Sequence, residues 1–130
     1  SDPHTGPLHL PVRELTSLGV PVALGQDDIE DAYYPFGRHN LVEVAFLAAH
    51  ALNAVDTEGL DLVYDAVTTT AARVLGVTGH RLEPGGNADL VVHRSDTLRQ
   101  VLTHHEAPAY VVASGRLVAT STASTELHLT

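Results

Sequence analysis

The chain has 130 residues, 44% of them hydrophobic, and a formal net charge of −9. That supports one domain or part of a larger one, with an aliphatic core, because two Phe, four Tyr and no Trp are the whole aromatic content. The absence of cysteine excludes disulfides and thiolate metal sites, and 7 Lys+Arg against 16 Asp+Glu excludes the basic footprint of a nucleic-acid binder.

In chain order, the start Ser1-Asp2-Pro3-His4 lacks the charged and apolar regions of a signal peptide. No apolar run approaches the ~20 residues of a membrane helix, so no membrane partner and a cytoplasmic location are expected. Residues 11–18 (PVRELTSL) read as a short helix stopped by Gly19. Residues 20–24 (VPVAL) form an apolar run between Gly19 and Gly25, the pattern of a strand covered on both faces. Residues 26–39 make a polar, aromatic-bearing loop, long enough to be functional. Asn40 is placed to cap a helix over residues 41–52, which is apolar almost all round and so expected to be buried.

A second helix is predicted over residues 60–75, with Leu60, Val63, Tyr64, Val67, Ala71 and Val74 on one face and Gly76 as its stop. Glu83-Pro84-Gly85-Gly86-Asn87 is a turn rather than a phosphate cradle, since residues 88–93 then read as a strand. Asp96 is the predicted cap of a short helix reaching Leu102. A hairpin is predicted from residues 110–113 and 116–120 about Ser114-Gly115, and residues 126–129 alternate like a last strand. His39 and His50 are expected on helices, and His104 and His105 in solvent.

The run Gly25-Gln26-Asp27-Asp28-Ile29-Glu30-Asp31-Ala32-Tyr33-Tyr34-Pro35-Phe36-Gly37 resembles the segment after the eighth barrel strand of cytosine deaminases, in the amidohydrolase superfamily. Thr68-Thr69-Thr70-Ala71-Ala72-Arg73-Val74-Leu75-Gly76 resembles the closing barrel helix, although the triple Thr departs from the family pattern. Leu82-Glu83-Pro84-Gly85-Gly86-Asn87-Ala88-Asp89-Leu90-Val91-Val92 is similar to the turn and strand that return to the small β-sandwich, and Ser114-Gly115-Arg116-Leu117-Val118 fits its next hairpin. The likeness covers the chain from about residue 11 onward.

The resemblance implies an α/β fold: the C-terminal fragment of a (β/α)8 TIM-barrel amidohydrolase, with residues 1–78 as the last βα units and 79–130 as the β-sandwich portion. It implies hydrolytic deamination of cytosine or a related cyclic amidine, a pyrimidine or triazine. Asp27 is then both a metal ligand and the catalytic carboxylate. A zinc or iron ion would lower the pKa of its bound water, and Asp27 would carry that proton to the departing amine. Asp28, pointing the other way along an extended chain, and Tyr33, an aromatic wall, are the substrate-binding candidates.

One carboxylate is too few for a hydrolytic metal site, which takes three or four protein ligands, and no His-x-His occurs among the nine His. The remaining ligands are therefore expected outside these residues, in a missing N-terminal barrel part or a partner chain. The 130 residues are expected to be a fragment, a processed piece or one half of a split enzyme; a chain standing alone would be expected to form a swapped homo-oligomer. The competing readings are a ring-opening cyclic amide hydrolase and a non-catalytic module derived from the same superfamily.

Overall fold

The computed structural model describes residues 10–27 and 29–128. They form an α/β arrangement in the order α1 (Val12–Ser17), α2 (Leu41–Ala51), α3 (Thr57–Val67), α4 (Thr69–Val74), β1 (Leu90–Val92), α5 (Leu98–His104), β2 (Tyr110–Ala113) and β3 (Arg116–Thr120).

The helices begin and end where local chemistry allows. The Asn40 side chain accepts a hydrogen bond from the Val42 N–H at the start of α2, and the Asp56 side chain does the same for Gly59 in α3. At the C-terminus of α2, Asn53 turns left-handed (φ 51°), its N–H bonds His50 O at 3.2 Å, and the Ala54 N–H reaches Ala49 O at 2.8 Å. This is a Schellman closure. Gly76 repeats it after α4 with φ 71°, Gly76 N–H on Arg73 O at 3.1 Å and Val77 N–H on Ala72 O at 2.9 Å. The stop predicted at Gly76 is thus present.

The core lies between α2, α3 and α5. Val42, Ala45 and Ala49 of α2 face Leu60, Val63 and Val67 of α3, and Leu102 of α5 closes one side. Alanines at i and i+4 on α2, both almost fully buried, keep that face shallow enough for close helix packing. Arg99 of α5 donates to Val55 O at 3.1 Å and so ties α5 to the α2–α3 connection.

Residues 88–120 build a three-stranded antiparallel sheet in the order β1-β2-β3, with Leu90 opposite Val112 and Val92 opposite Tyr110. The predicted hairpin is present. Ser114 and Gly115 both take positive φ (49° and 74°), as a two-residue type I′ turn requires. Asp89 explains how a serine is held there: its Oδ1 accepts the Ser114 N–H at 2.7 Å, while Gly115 N–H bonds Ala88 O at 2.9 Å.

Four expectations need correction. Residues 20–24 carry no strand: a ladder needs a neighbour, and the backbone bonds found here run from Val20 N–H to Leu15 O at 2.9 Å and from Leu24 N–H to Ala66 O on α3 at 2.8 Å. The helix expected over residues 60–75 is broken at Thr68 (φ −129°, ψ −97°), whose hydroxyl donates to Tyr64 O at 2.8 Å. Such back-bonding by threonine competes with the helical ladder. Thr97, not Asp96, caps α5, because its hydroxyl oxygen lies 3.2 Å from the Gln100 N–H. Residues 121–128 hold no strand; Leu129 and Thr130 lie outside the described residues.

Val63 is fully buried while Leu82 is 89% exposed. Val63→Ala is expected to lower unfolding stability by about 2 kcal/mol through its lost transfer energy and cavity. Leu82→Ala should change it by less than ~0.5 kcal/mol. Urea unfolding measures both, and equal losses would contradict this placement of the core.

Candidate active-site loop and adjoining cleft

The loop between residues 25 and 40 carries the sequence-predicted site. Asp27 lies at its start, exposed to solvent. Asp28 lies outside the described residues. Tyr33 is 88% exposed, so its ring is not covered by the described residues. Asp31 organises the turn between them: its Oδ1 accepts the N–H groups of Tyr33 and Tyr34, each at 2.8 Å. This Asx-type arrangement replaces backbone partners that a loop lacks.

The far end of the loop is fastened to the body. Tyr34 donates its hydroxyl to Glu43 of α2 at 3.1 Å, and Arg38 Nε bonds the other Glu43 oxygen at 3.3 Å. Arg38 also donates to His105 O at 3.2 Å, and the Asn40 amide donates to the same carbonyl at 3.3 Å. Burial, and then the bond to Glu43, push the Tyr34 hydroxyl above its ordinary pKa. It therefore stays protonated and donating throughout the neutral range.

Two histidines depart from expectation. His39 precedes α2 with φ 53° instead of sitting on a helix. His105 is not out in solvent: half-buried, it ends α5 in the left-handed region and stacks on Phe46, with centroids 4.4 Å apart and planes at 26°. His50 does lie on α2, tilted against the same Phe46 ring at 4.6 Å.

Sequence reasoning passed over a cleft of about 560 Å³ between the helices and the sheet. Leu41, Val42, Val67, Val91 and Val111 form its apolar walls, and Arg38, His39, Tyr64 and His93 are among its polar groups. Val91 and His93 alternate along β1 and its extension, which puts them on one face of the sheet; that alternation was the signal available in the sequence. The Tyr64 hydroxyl lies 3.5 Å from His93 Nε2. Desolvation lowers the His93 pKa, while burial and the nearby Asp65 raise that of Tyr64. Neither Asp27 nor Tyr33 lines this cleft.

Among the described residues no three His, Asp or Glu side chains come together in a way that holds an ion. Asp27 therefore does not find two further ligands among them, and these residues by themselves do not fit a catalytic metal site.

The amidohydrolase family's sequence model matches residues 1–119. The chain belongs to the amidohydrolase family. Among amidohydrolases it is 29% identical over 113 residues to N-isopropylammelide isopropyl amidohydrolase of Pseudomonas sp. (strain ADP), covering 86% of this chain and 28% of that protein. It is 31% identical over 108 residues to pterin deaminase of Rhizobium rhizogenes, covering 82% of this chain and 24% of the relative. The chain thus spans less than a third of either relative.

The solved structures agree in fold. N-isopropylammelide isopropylaminohydrolase from Burkholderia multivorans superposes with a TM-score of 0.79 at 31% identity, over 85% of this chain and 28% of that one. The 5-methylcytosine deaminase of Klebsiella pneumoniae, solved with phosphonocytosine, gives a TM-score of 0.80 at 22% identity, over 90% of this chain and 29% of that one. At that identity the likeness is one of fold.

His93 sets a testable pH dependence. Its folded-state pKa lies below the ordinary value of 6.5, so the unfolded chain takes up the proton first as pH falls. The contribution of neutral His93 is present above the unfolded pKa and is lost as pH drops through the folded one. Melting temperature is expected to fall on acidification from about pH 7.5 to about pH 5, and less so in His93→Gln. An NMR titration placing the His93 midpoint at or above its ordinary value would contradict this.

Proposed function

We propose that these residues are the C-terminal part of a metal-dependent hydrolase that deaminates a nitrogen heterocycle, with residues 1–78 ending a (β/α)8 barrel and 79–130 contributing to a β-sandwich. The observation that carries this reading is the position of Asp27. It follows an apolar segment docked on α3 through Leu24, and it opens a loop anchored to α2 through Glu43. In an eight-stranded barrel, chemistry-bearing carboxylates stand where strands end and such loops begin. The names of the relatives, an N-isopropylammelide amidohydrolase and a pterin deaminase, support hydrolysis at a ring-bearing nitrogen substrate.

On this reading Asp27 takes a proton from the attacking water and delivers it to the amine that leaves. Asp28 meets the substrate ring, and Tyr33 offers a flat apolar wall to a pyrimidine or triazine. A divalent zinc or iron ion would be held mainly by ligands outside these residues, with Asp27 as one member of the set. The spans of 24–28% that the chain covers in its relatives leave room for a barrel carrying those ligands.

The test uses the full-length polypeptide, with release of ammonia or alkylamine from cytosine, pterin and N-alkylated triazines as the readout. Turnover of at least one of these is expected. Asp27→Asn should lower kcat/KM by about 100-fold or more, the scale of a lost proton-transfer group. The 130 residues alone should neither turn over these heterocycles nor retain metal by elemental analysis. Full activity in Asp27→Asn, or turnover by the 130 residues alone, would overturn the assignment.

A further inference from the structure

The loop that carries Asp27 and Tyr33 is fastened to α2 through one carboxylate. Glu43 accepts the Tyr34 hydroxyl on Oε1 at 3.1 Å and Arg38 Nε on Oε2 at 3.3 Å, so it grips the chain on both sides of Gly37. Its side chain is only 14% exposed, whereas the acids of the other arginine ion pairs, Asp56, Glu83 and Glu106, are 51–64% exposed. A shielded carboxylate with two charge-assisted or hydroxyl donors holds its partners more firmly than a surface pair does. Arg38 also donates to His105 O, which ties the anchor to the end of α5.

The grip reaches the start of the loop through packing. Gly37 is buried, and a Cβ built on it would lie 2.8 Å from Tyr34 Cδ1 and 3.1 Å from Gln26 Nε2. The Tyr34 ring, the Gly37 backbone and the Gln26 side chain therefore meet at the base of the loop, with no room for a methyl group between them. Gln26 is the residue immediately before Asp27. Closing a loop at its base in this way restricts the positions open to the residues it carries.

We propose that Glu43 is a positioning residue for the reaction carried by Asp27: through Tyr34, Gly37 and Gln26 it holds the 26–37 loop closed with the Asp27 carboxylate in place. The inference rests on the reading of Asp27 given above. Glu43 touches no reacting atom; its effect is the loss of sampled loop positions in which Asp27 is misaligned, and displacements near 1 Å are costly in such steps. Gly37 contributes by lacking the side chain that would separate Tyr34 from Gln26.

The experiment combines amide hydrogen–deuterium exchange with steady-state kinetics on the full-length polypeptide. Tyr34→Phe removes the hydroxyl and keeps the ring. Glu43→Ala removes both bonds, and Glu43→Gln keeps an oxygen that accepts the Tyr34 hydroxyl. In Tyr34→Phe and Glu43→Ala, exchange across residues 26–37 is expected to quicken about tenfold, as the loss of one net hydrogen bond implies, with α3 peptides unchanged. The kcat value should fall about tenfold with KM altered less than about threefold, because alignment and not substrate binding is lost. Glu43→Gln should restore most of both. Unchanged exchange in the loop, exchange that quickens equally in α3, or a loosened loop with unaltered kcat would each overturn the proposal. Full activity in Asp27→Asn sinks the underlying reading instead, whatever the loop does.

Discussion

The apolar contact between α2 and α3 is the constraint on which the other elements depend. Ala45 and Ala49 present a shallow face, and Val63 and Leu60 fill it. A shallow face permits a short interaxial distance, and close-packed interiors tolerate little change at such a seam. Once these helices are fixed, Glu43 on the first turn of α2 has a fixed place from which to hold Tyr34 and Arg38. Ala66 on α3 likewise offers its carbonyl to the backbone before the loop. The candidate site is thus suspended between two points that belong to one helix pair.

The end of α5 is joined to the same body with a different logic. Asn40 and Arg38 both bond His105 O, so the segment leading into α2 and the end of α5 are locked together. The cleft between helices and sheet then arises from geometry: β1 and β2 bring Val91 and Val111 to one wall, and α2 and α3 supply the other. His93 and Tyr64 are the titratable pair that this enclosure desolvates, each displaced toward its neutral form. The relatives matched above each extend well beyond the stretch aligned with these residues.

Local chemistry was legible where a single residue decides the conformation. Asn40 caps α2 because its side chain satisfies an N–H that no helix can satisfy internally. Gly76 ends α4 because glycine, with no Cβ, takes a positive φ at little cost. Ser114-Gly115 makes the hairpin turn for the same backbone reason, with Asp89 supplying the support for the serine. The Asp-Asp-aromatic run was legible as a pattern, and its resemblance to amidohydrolases led to the family that the comparison establishes. Less legible were the choices between near-equal neighbours: Thr97 over Asp96 as the cap, and Thr68 as a break inside an apolar period that runs straight through it.

By itself, then, the sequence determined the main helices, the cap at Asn40, the stop at Gly76 and the 114–115 hairpin turn, because those preferences are settled within a few residues by φ restrictions, capping groups and apolar spacing. Only the tertiary structure decided what those stretches meet. Residues 20–24 have the composition of a buried strand, yet a strand exists only by pairing, and their docking partner here is α3. His105 reads as a surface residue until Phe46, far away in the chain, is laid against it. Glu43 reads as one more acid on a helix until Tyr34 and Arg38 converge on its two oxygens. Pairing, stacking and shared hydrogen bonds are contacts between distant residues, and no local preference encodes them.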